Sequence, residues 1–378
     1  LRDPLRLSPK TVVIPQQLAP VLALCDGTRD TQALRASLAV RYGLPLSTGV
    51  IEQLLRALDE ALLLENERFY TAKEQALRTF REAPFRPPAL AGSSYPAEAS
   101  ALQKMFAELC AQHPETPEAE MSRGLLSPHI DYARGGPVYA RIWQRAGEAV
   151  RQAELIVLLG TDHYGSPGQL TLTRQHYATP WGVLPTDQEA VNALAAQLGE
   201  ETAFAEEIHH RSEHSIELAA TWLHYIRQGE PCQLVPILCG SFQPFIQGEA
   251  DPAENPAIAA TVNTLKEVLA ARHGYVVIAG DLAHVGPAFG GPPVDLIARS
   301  RLQASDEELI ERICAGDAAG FMAKIKETGD RNQVCGVPPI YIALRLLAPT
   351  RGEKVAYERC PADPQGTSWV SICGLTLY

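Results

Sequence analysis

Three apolar runs in this chain each end in a polar turn, and that pattern narrows the fold more than any other feature. The runs are Gly124-Leu125-Leu126, Leu155-Ile156-Val157-Leu158-Leu159 and Tyr275-Val276-Val277-Ile278-Ala279. The turns after them read Ser127-Pro128-His129, Gly160-Thr161-Asp162-His163 and Gly280-Asp281-Leu282-Ala283-His284. A buried strand ending in polar residues places them at the carboxyl edge of a parallel sheet, where open α/β folds build their sites. Two further motifs, Ser212-Glu213-His214-Ser215 and Cys335-Gly336, extend the series. Histidine, aspartate and cysteine recurring at strand ends predict a metal or acid–base site.

From residue 89 onward the sequence alternates strand and helix signals. Strands are predicted at 124–127, 155–160, 169–173, 233–238, 275–280, 354–359 and 368–376. Helices are predicted at 98–110, 136–152, 187–198, 215–228, 257–272, 305–315, 318–326 and 338–347. Such alternation implies an α/β domain over 89–378, with one central sheet flanked by helices. Residues 1–85 read differently. Asp30 or Thr31 can cap a helix bearing Leu34 and Leu38, and Ile51, Leu54, Leu55, Leu58 and Leu62 recur at helical spacing. Leu62-Leu63-Leu64 followed by Arg68-Phe69-Tyr70 suggests a hairpin, which would complete a small winged-helix-like α+β domain. A charged helix over 72–81 and the proline-rich stretch 83–88, a stiff linker, follow.

Composition removes several classes. The net charge of −11 argues against non-specific nucleic-acid binding, which needs a basic footprint, and weakly against an anionic membrane surface. No apolar stretch approaches the ~18 residues needed to span a bilayer. Eight cysteines are scattered through the chain without a C-x-x-C pair, as in a cytoplasmic protein with reduced thiols.

Each motif has a plain structural reading beside its functional one. His129 is either a turn residue or a site residue, and His163, after the clearest buried strand, is the stronger candidate. Asp162 could orient a ligand or cap a turn. Ser212 or Ser215 explains the start of a helix but leaves His214 unexplained, while His209 and His210 read as solvated loop residues. Asp281 and His284, three apart, would share one side of a helical turn, with the carboxylate fixing the imidazole tautomer. The alternative is an Asp cap with a surface His. Cys335, in a loop beside Gly336, could supply a thiolate to a soft or borderline metal, whereas the other seven cysteines read as structural.

Taken together, these residues resemble the Memo family, also called AmmeMemoRadiSam system protein B. The matching stretches are Ala91-Gly92-Ser93-Ser94-Tyr95-Pro96, Pro128-His129 with Tyr132 and Gly135-Gly136, Gly160-Thr161-Asp162-His163, Thr179-Pro180-Trp181-Gly182, Glu213-His214-Ser215-Ile216-Glu217, Val235-Pro236-Ile237-Leu238, Gly280 to Gly286, and Cys335-Gly336. Ile130-Asp131 stands where the family has Ala-Gly, and Asp162 and Gly280 each replace a Ser. The added carboxylates at Asp131 and Asp162 would make the site more acidic.

The resemblance implies a fold like that of the class III extradiol dioxygenases, which are non-haem iron enzymes. It implies metal ligands at His129, His163 and Cys335. Asp281 and His284 would line the same cleft, with His214 and Glu217 as further site residues. Iron or copper is implied as cofactor, with zinc as a third option. Partners implied are a radical-SAM protein and an AMMECR1-like protein of the same system. The first domain is similar to the peptide-binding winged-helix domains that accompany radical-SAM enzymes. The leading expectation is therefore a cytoplasmic, redox-related protein in which His284, oriented by Asp281, moves protons beside a mononuclear metal, with His214 as another catalytic candidate. A metal-dependent hydrolase needs the same residues. A peptide- or anion-binding module without catalysis is the reading from a different class.

Overall fold

A computed structural model describes residues 1–378, which separate into Leu1–Glu82 and Ala83–Tyr378. In the first unit, local signals build α1 (Ala19–Ala23), α2 (Thr31–Tyr42), α3 (Thr48–Glu60) and α4 (Glu67–Glu82). Asp30 caps α2 by accepting from the Ala33 amide at 2.7 Å, and Gly43, at φ 60°, ends it in the left-handed conformation. Leu34 and Leu38 meet Ile51, Leu54 and Leu58 of α3 in a small apolar core with Val21 and Leu24. The expected hairpin does not form. Leu62, at φ 59°, turns the chain after α3, and Asn66 then starts a helix by accepting from the Phe69 amide at 3.1 Å. Arg68, Phe69 and Tyr70 therefore lie in α4 rather than in a strand. The winged-helix expectation missed Asn66 as a cap.

The second unit contains ten strands. They are β1 (Gly124–Ser127), β2 (Leu155–Thr161), β3 (Leu170–Leu172), β4 (Tyr177–Thr179), β5 (Gly182–Leu184), β6 (Gln233–Cys239), β7 (Gly274–Ala279), β8 (His284–Val285), β9 (Gly352–Pro361) and β10 (Trp369–Leu377). Between them lie α5 (Ala99–Gln112), α6 (Tyr132–Arg145), α7 (Gly147–Gln152), α8 (Gln188–Leu198), α9 (Glu200–Phe204), α10 (His214–Ile226), α11 (Gln243–Ile246), α12 (Pro256–Ala271), α13 (Leu296–Cys314), α14 (Ala318–Thr328) and α15 (Val337–Leu347). One sheet runs β3-β6-β2-β7-β1-β10-β8, with β9 on β10, and β4 pairs separately with β5. The central strands β6, β2, β7 and β1 are parallel, while β3, β8, β9 and β10 pair antiparallel.

The central strands read as unbroken apolar runs because helices cover both sheet faces. Leu155, Val157 and Leu159 of β2 pack into one core with α8, α12 and α15. Ile156 and Leu158, between them, pack into the other, where Phe106, Tyr132, Tyr139, Trp143 and Trp222 cluster. The single helix expected over 136–152 is instead α6 and α7. Asp131 caps α6 at the Arg134 amide, so the helix starts four residues early. Asp295 likewise caps α13 and starts it nine residues before the expected 305.

The proline-rich stretch expected as a linker is partly built into the second unit. Arg86 donates its amide to the His176 carbonyl and accepts from the Ala178 amide, at 2.8 and 3.0 Å. Its side chain is fully buried and reaches Glu217 at 2.5 Å.

A second buried acid sits on α13. Asp306 is inaccessible to solvent and accepts from the Tyr357 hydroxyl at 2.8 Å. Burial pushes its carboxyl from 3.8 up to about 6, against the pull of hydrogen bonds from Ser371 and Tyr357. The folded chain thus holds this proton more tightly than the unfolded one. The contribution of Asp306 is most favourable below about pH 4 and is lost as pH rises through 6. Asp306→Asn, which does not ionise, is expected to gain on the wild type by up to about 3 kcal/mol between pH 4 and 7. Urea denaturation of both proteins across that range checks this. A difference that stays flat with pH would contradict it.

Candidate metal centre

The register of three adjacent strands brings the motif turns to one edge. Ser127 of β1 lies beside Ala279 of β7, and Ala279 lies beside Gly160 of β2. His129, Asp281 and His163 therefore leave the sheet at the same level. Two close approaches complete the arrangement. A Cβ on Gly160 would sit 2.6 Å from Ser215 Oγ and Ile216 Cγ1, so only glycine lets the start of α10 close on β2. The Ser215 hydroxyl then donates to the Thr161 carbonyl at 2.8 Å. A Cβ on Gly336 would sit 2.6 Å from the Asp281 carbonyl, which accepts from the Gly336 amide at 3.0 Å. Gly336 thus seats the Cys335 turn on the Asp281 turn, just before α15.

At this junction Cys335 Sγ lies 3.3 Å from His129 Nε2. The His129 and His163 rings are 5.1 Å apart and nearly perpendicular. One donor atom from each of His129, His163 and Cys335 lies within 4.8 Å of the others. His129 is buried, Cys335 half-buried and His163 open to solvent. Such a set can take a cation from the cleft side.

Hydrogen bonds aim the donors. His129 Nδ1 faces the Ala279 carbonyl at 3.0 Å; a carbonyl only accepts, so Nδ1 keeps its proton, and Nε2, toward Cys335, is the nitrogen that a metal can take in place of a proton. Asp281 Oδ1 accepts from the His129 amide at 2.8 Å, and its Oδ2 lies 3.7 Å from His129 Nε2. The Glu213 carboxylate sits 3.1 Å from His163 Nδ1, which leaves Nε2 of that ring for a metal. It also reaches His214 Nδ1 at 2.9 Å and caps α10 by accepting from the His214 and Ser215 amides. His214 stacks on His163 with ring centres 4.6 Å apart.

Charge follows this geometry. Burial raises the Cys335 thiol, but the charges of His129 and His284 and hydrogen bonds from His129 and His163 outweigh it, and the thiol falls well below its usual range. The start of α15 adds its partial positive charge. Burial disfavours a charged His129, yet Asp281 and Cys335 push the ring up to about 9. His163 is raised by Cys335 and Glu213 against its own burial. Burial also raises Glu213, but its two histidine partners drive it well below the usual carboxylate range. An environment that stabilises a thiolate and draws protons to both imidazoles also favours a cation in their place. The residues present fit a mononuclear ion with two nitrogen donors and one sulfur.

Several expected roles change. Asp281 supports His129, not His284. The chain after β7 forms a loop and the short β8 instead of a helical turn, and His284 Nδ1 faces the Leu282 and Gln333 carbonyls at 3.3 and 3.2 Å. His284 nevertheless lines the cleft with His163 and Cys335, a space of about 570 Å³. Glu217 does not face the cleft but is buried against Arg86, Tyr95 and the amides of Ala89 and Leu90. Asp131 pairs with Arg134 and caps α6, so it adds no free charge to the site. Asp162 is occupied by the Tyr164 amide and by His209 Nδ1 at 2.9 Å. His209 and His210, expected in solvent, are buried, and His210 bridges the Tyr177 hydroxyl and the Thr171 carbonyl. Glu213 was overlooked as a site residue, although its place beside His214 at a helix start was a usable signal.

The same stretch of chain is similar to known proteins. The family model described as Memo-like protein matches residues 86–372. A MEMO1 family protein of Thermus thermophilus is 29% identical over 331 residues, covering 87% of this chain and 93% of that protein. One from Aquifex aeolicus is 28% identical over 292 residues, covering 77% and 73%. Another, from Methanopyrus kandleri, is 30% identical over 286 residues, covering 72% and 91%. With its match spanning most of the second unit and the motif residues gathered at one sheet edge, the chain belongs to the Memo-like protein family.

Proposed function

We propose that the second unit is a mononuclear metal-binding domain acting in redox chemistry, with His129, His163 and Cys335 as the ligands. The observation that carries this reading is the approach of Cys335 Sγ to His129 Nε2 at 3.3 Å, beside the outward-facing His163. A soft sulfur donor with two imidazoles suits copper(I) or iron(II), and zinc as a third option. Bound there, copper or iron would supply a redox couple, and any of the three ions a Lewis-acid centre.

The chain's own residues supply the rest. The Ala279 carbonyl keeps the His129 proton on Nδ1, and Asp281 fixes the His129 backbone through its amide. Glu213 does the same for His163 and ties His214 into the array. Both Nδ1 contacts of His284 are carbonyls, so its Nε2 is the nitrogen able to exchange a proton with a substrate in the cleft. The test is anaerobic titration of the purified protein with copper(I) and iron(II), followed by metal analysis after desalting. One ion per chain is expected, falling to near none in His129→Ala. Absence of retained metal under reducing, metal-supplemented conditions would overturn the reading in favour of a binding module.

A further inference from the structure

Beyond His284 and Gln333 the cleft continues into a second lobe of about 450 Å³, and these two residues line both spaces. Its wall is apolar, with Pro292, Pro293, Val294 and Leu302, and two arginines, Arg301 and Arg331, complete it. Both residues are exposed, and neither forms an ion pair with a carboxylate. Arg134, Arg174, Arg272 and Arg351 each sit against a carboxylate. Asp330, next to Arg331, instead spends an oxygen on the Val334 amide at 2.9 Å. Arg299, near Arg301 in sequence, lies over the Trp369 ring and donates to the Gly366 carbonyl. Two cations lining one apolar space can offer an oxyanion charge-assisted hydrogen bonds.

We propose that this lobe seats an organic anion with an apolar body, its carboxylate or phosphate group held by Arg301 and Arg331. The apolar segment rests on Pro292, Pro293, Val294 and Leu302, and the far end extends toward His284. That the far end is the reacting end rests on the metal-cleft reading above; the anion seat does not. A concave apolar site with a few convergent polar groups is the usual design for a small-molecule ligand.

Isothermal titration calorimetry of the full-length protein with benzoate, phenyl phosphate and neutral benzamide tests the proposal. At least one anion is expected to bind ~10-fold or more tighter than benzamide. Tighter benzoate assigns a carboxylate ligand; tighter phenyl phosphate assigns a phosphate. Arg301→Gln and Arg331→Gln are each expected to weaken anion binding by ~5–10-fold, and the double variant to lose the preference over benzamide. Arg→Lys at both positions, which keeps the charge, should retain part of that preference. Metal content should be unchanged in all four variants. His129→Ala should keep the anion preference while losing metal, so failure of the metal reading and failure of this one are read separately. No saturable anion binding up to ~10 mM, or an undiminished preference in the double Gln variant, would overturn the proposal.

Discussion

Arg86→Met is expected to destabilise the second unit by about 3–5 kcal/mol. The guanidinium is wholly buried and makes three hydrogen bonds: to Glu217 at 2.5 Å, the His210 carbonyl at 2.8 Å and the Glu213 carbonyl at 3.0 Å. Met fills much of the volume but leaves the Glu217 carboxylate with no cation. Glu217 still has the Ala89 and Leu90 amides and the Tyr95 hydroxyl, so it does not lose every partner. Uncompensated charge is the larger cost, because burial without a counter-ion is far more expensive than a lost neutral hydrogen bond. Adding Glu217→Gln to Arg86→Met should therefore recover part of the loss. Urea denaturation reads both proteins, with the midpoint expected to fall at constant slope. A loss below ~1 kcal/mol would show that the pair does little for the fold. Because Arg86 also holds the Glu213 carbonyl, the same variant should loosen the start of α10 that carries the His163 partner.

Cys335→Ser and His284→Ala are expected to separate two roles within one cleft. Serine replaces a thiolate by a neutral, hard oxygen donor at the same place. Affinity for copper(I) should fall by at least ~10²-fold, more than the 10–100-fold typical of a lost supporting hydrogen bond. His284 has no partner among the ligand set; its Nδ1 is engaged by two carbonyls. His284→Ala should leave the metal in place and lower any turnover by ~10²–10⁴-fold, the range for a general acid or base. Competition titration against a chelator measures the first effect, and metal analysis with an activity assay measures the second. Metal loss in His284→Ala as complete as in His129→Ala would make His284 a ligand and the assignment wrong.

The parallel core of this fold was legible because its strands are buried on both faces. Leu155 to Leu159 and Tyr275 to Ala279 are uninterrupted apolar runs, and each stops where its turn begins. The site followed, since strand ends in register place His129, Asp281 and His163 together. What escaped the sequence was mostly capping and pairing. Asn66, Asp131 and Asp295 start helices earlier than apolar spacing alone suggests. The short strands β4, β5 and β8 carry too few residues for any alternation to show. Which carboxylate serves which imidazole was also hidden. Asp281 is three residues from His284 yet bonds His129, 152 positions away, while Glu213 reaches back 50 positions to His163. The motif from Glu213 to Glu217 implies Glu217 as a site residue, but its carboxylate is taken up by Arg86, Tyr95 and two backbone amides. The hairpin in the first unit was inferred from apolar and aromatic content, and a single Asn cap overrode it.

X-ray absorption at the zinc edge of the zinc-loaded protein addresses the ligand set directly, with zinc as a stand-in of known bond lengths. One sulfur at about 2.3 Å and two imidazole nitrogens near 2.0–2.1 Å are expected in the first shell. The sulfur contribution should vanish in Cys335→Ser while the imidazole signal remains. A first shell of nitrogen and oxygen alone in the wild-type protein would contradict a centre built from His129, His163 and Cys335.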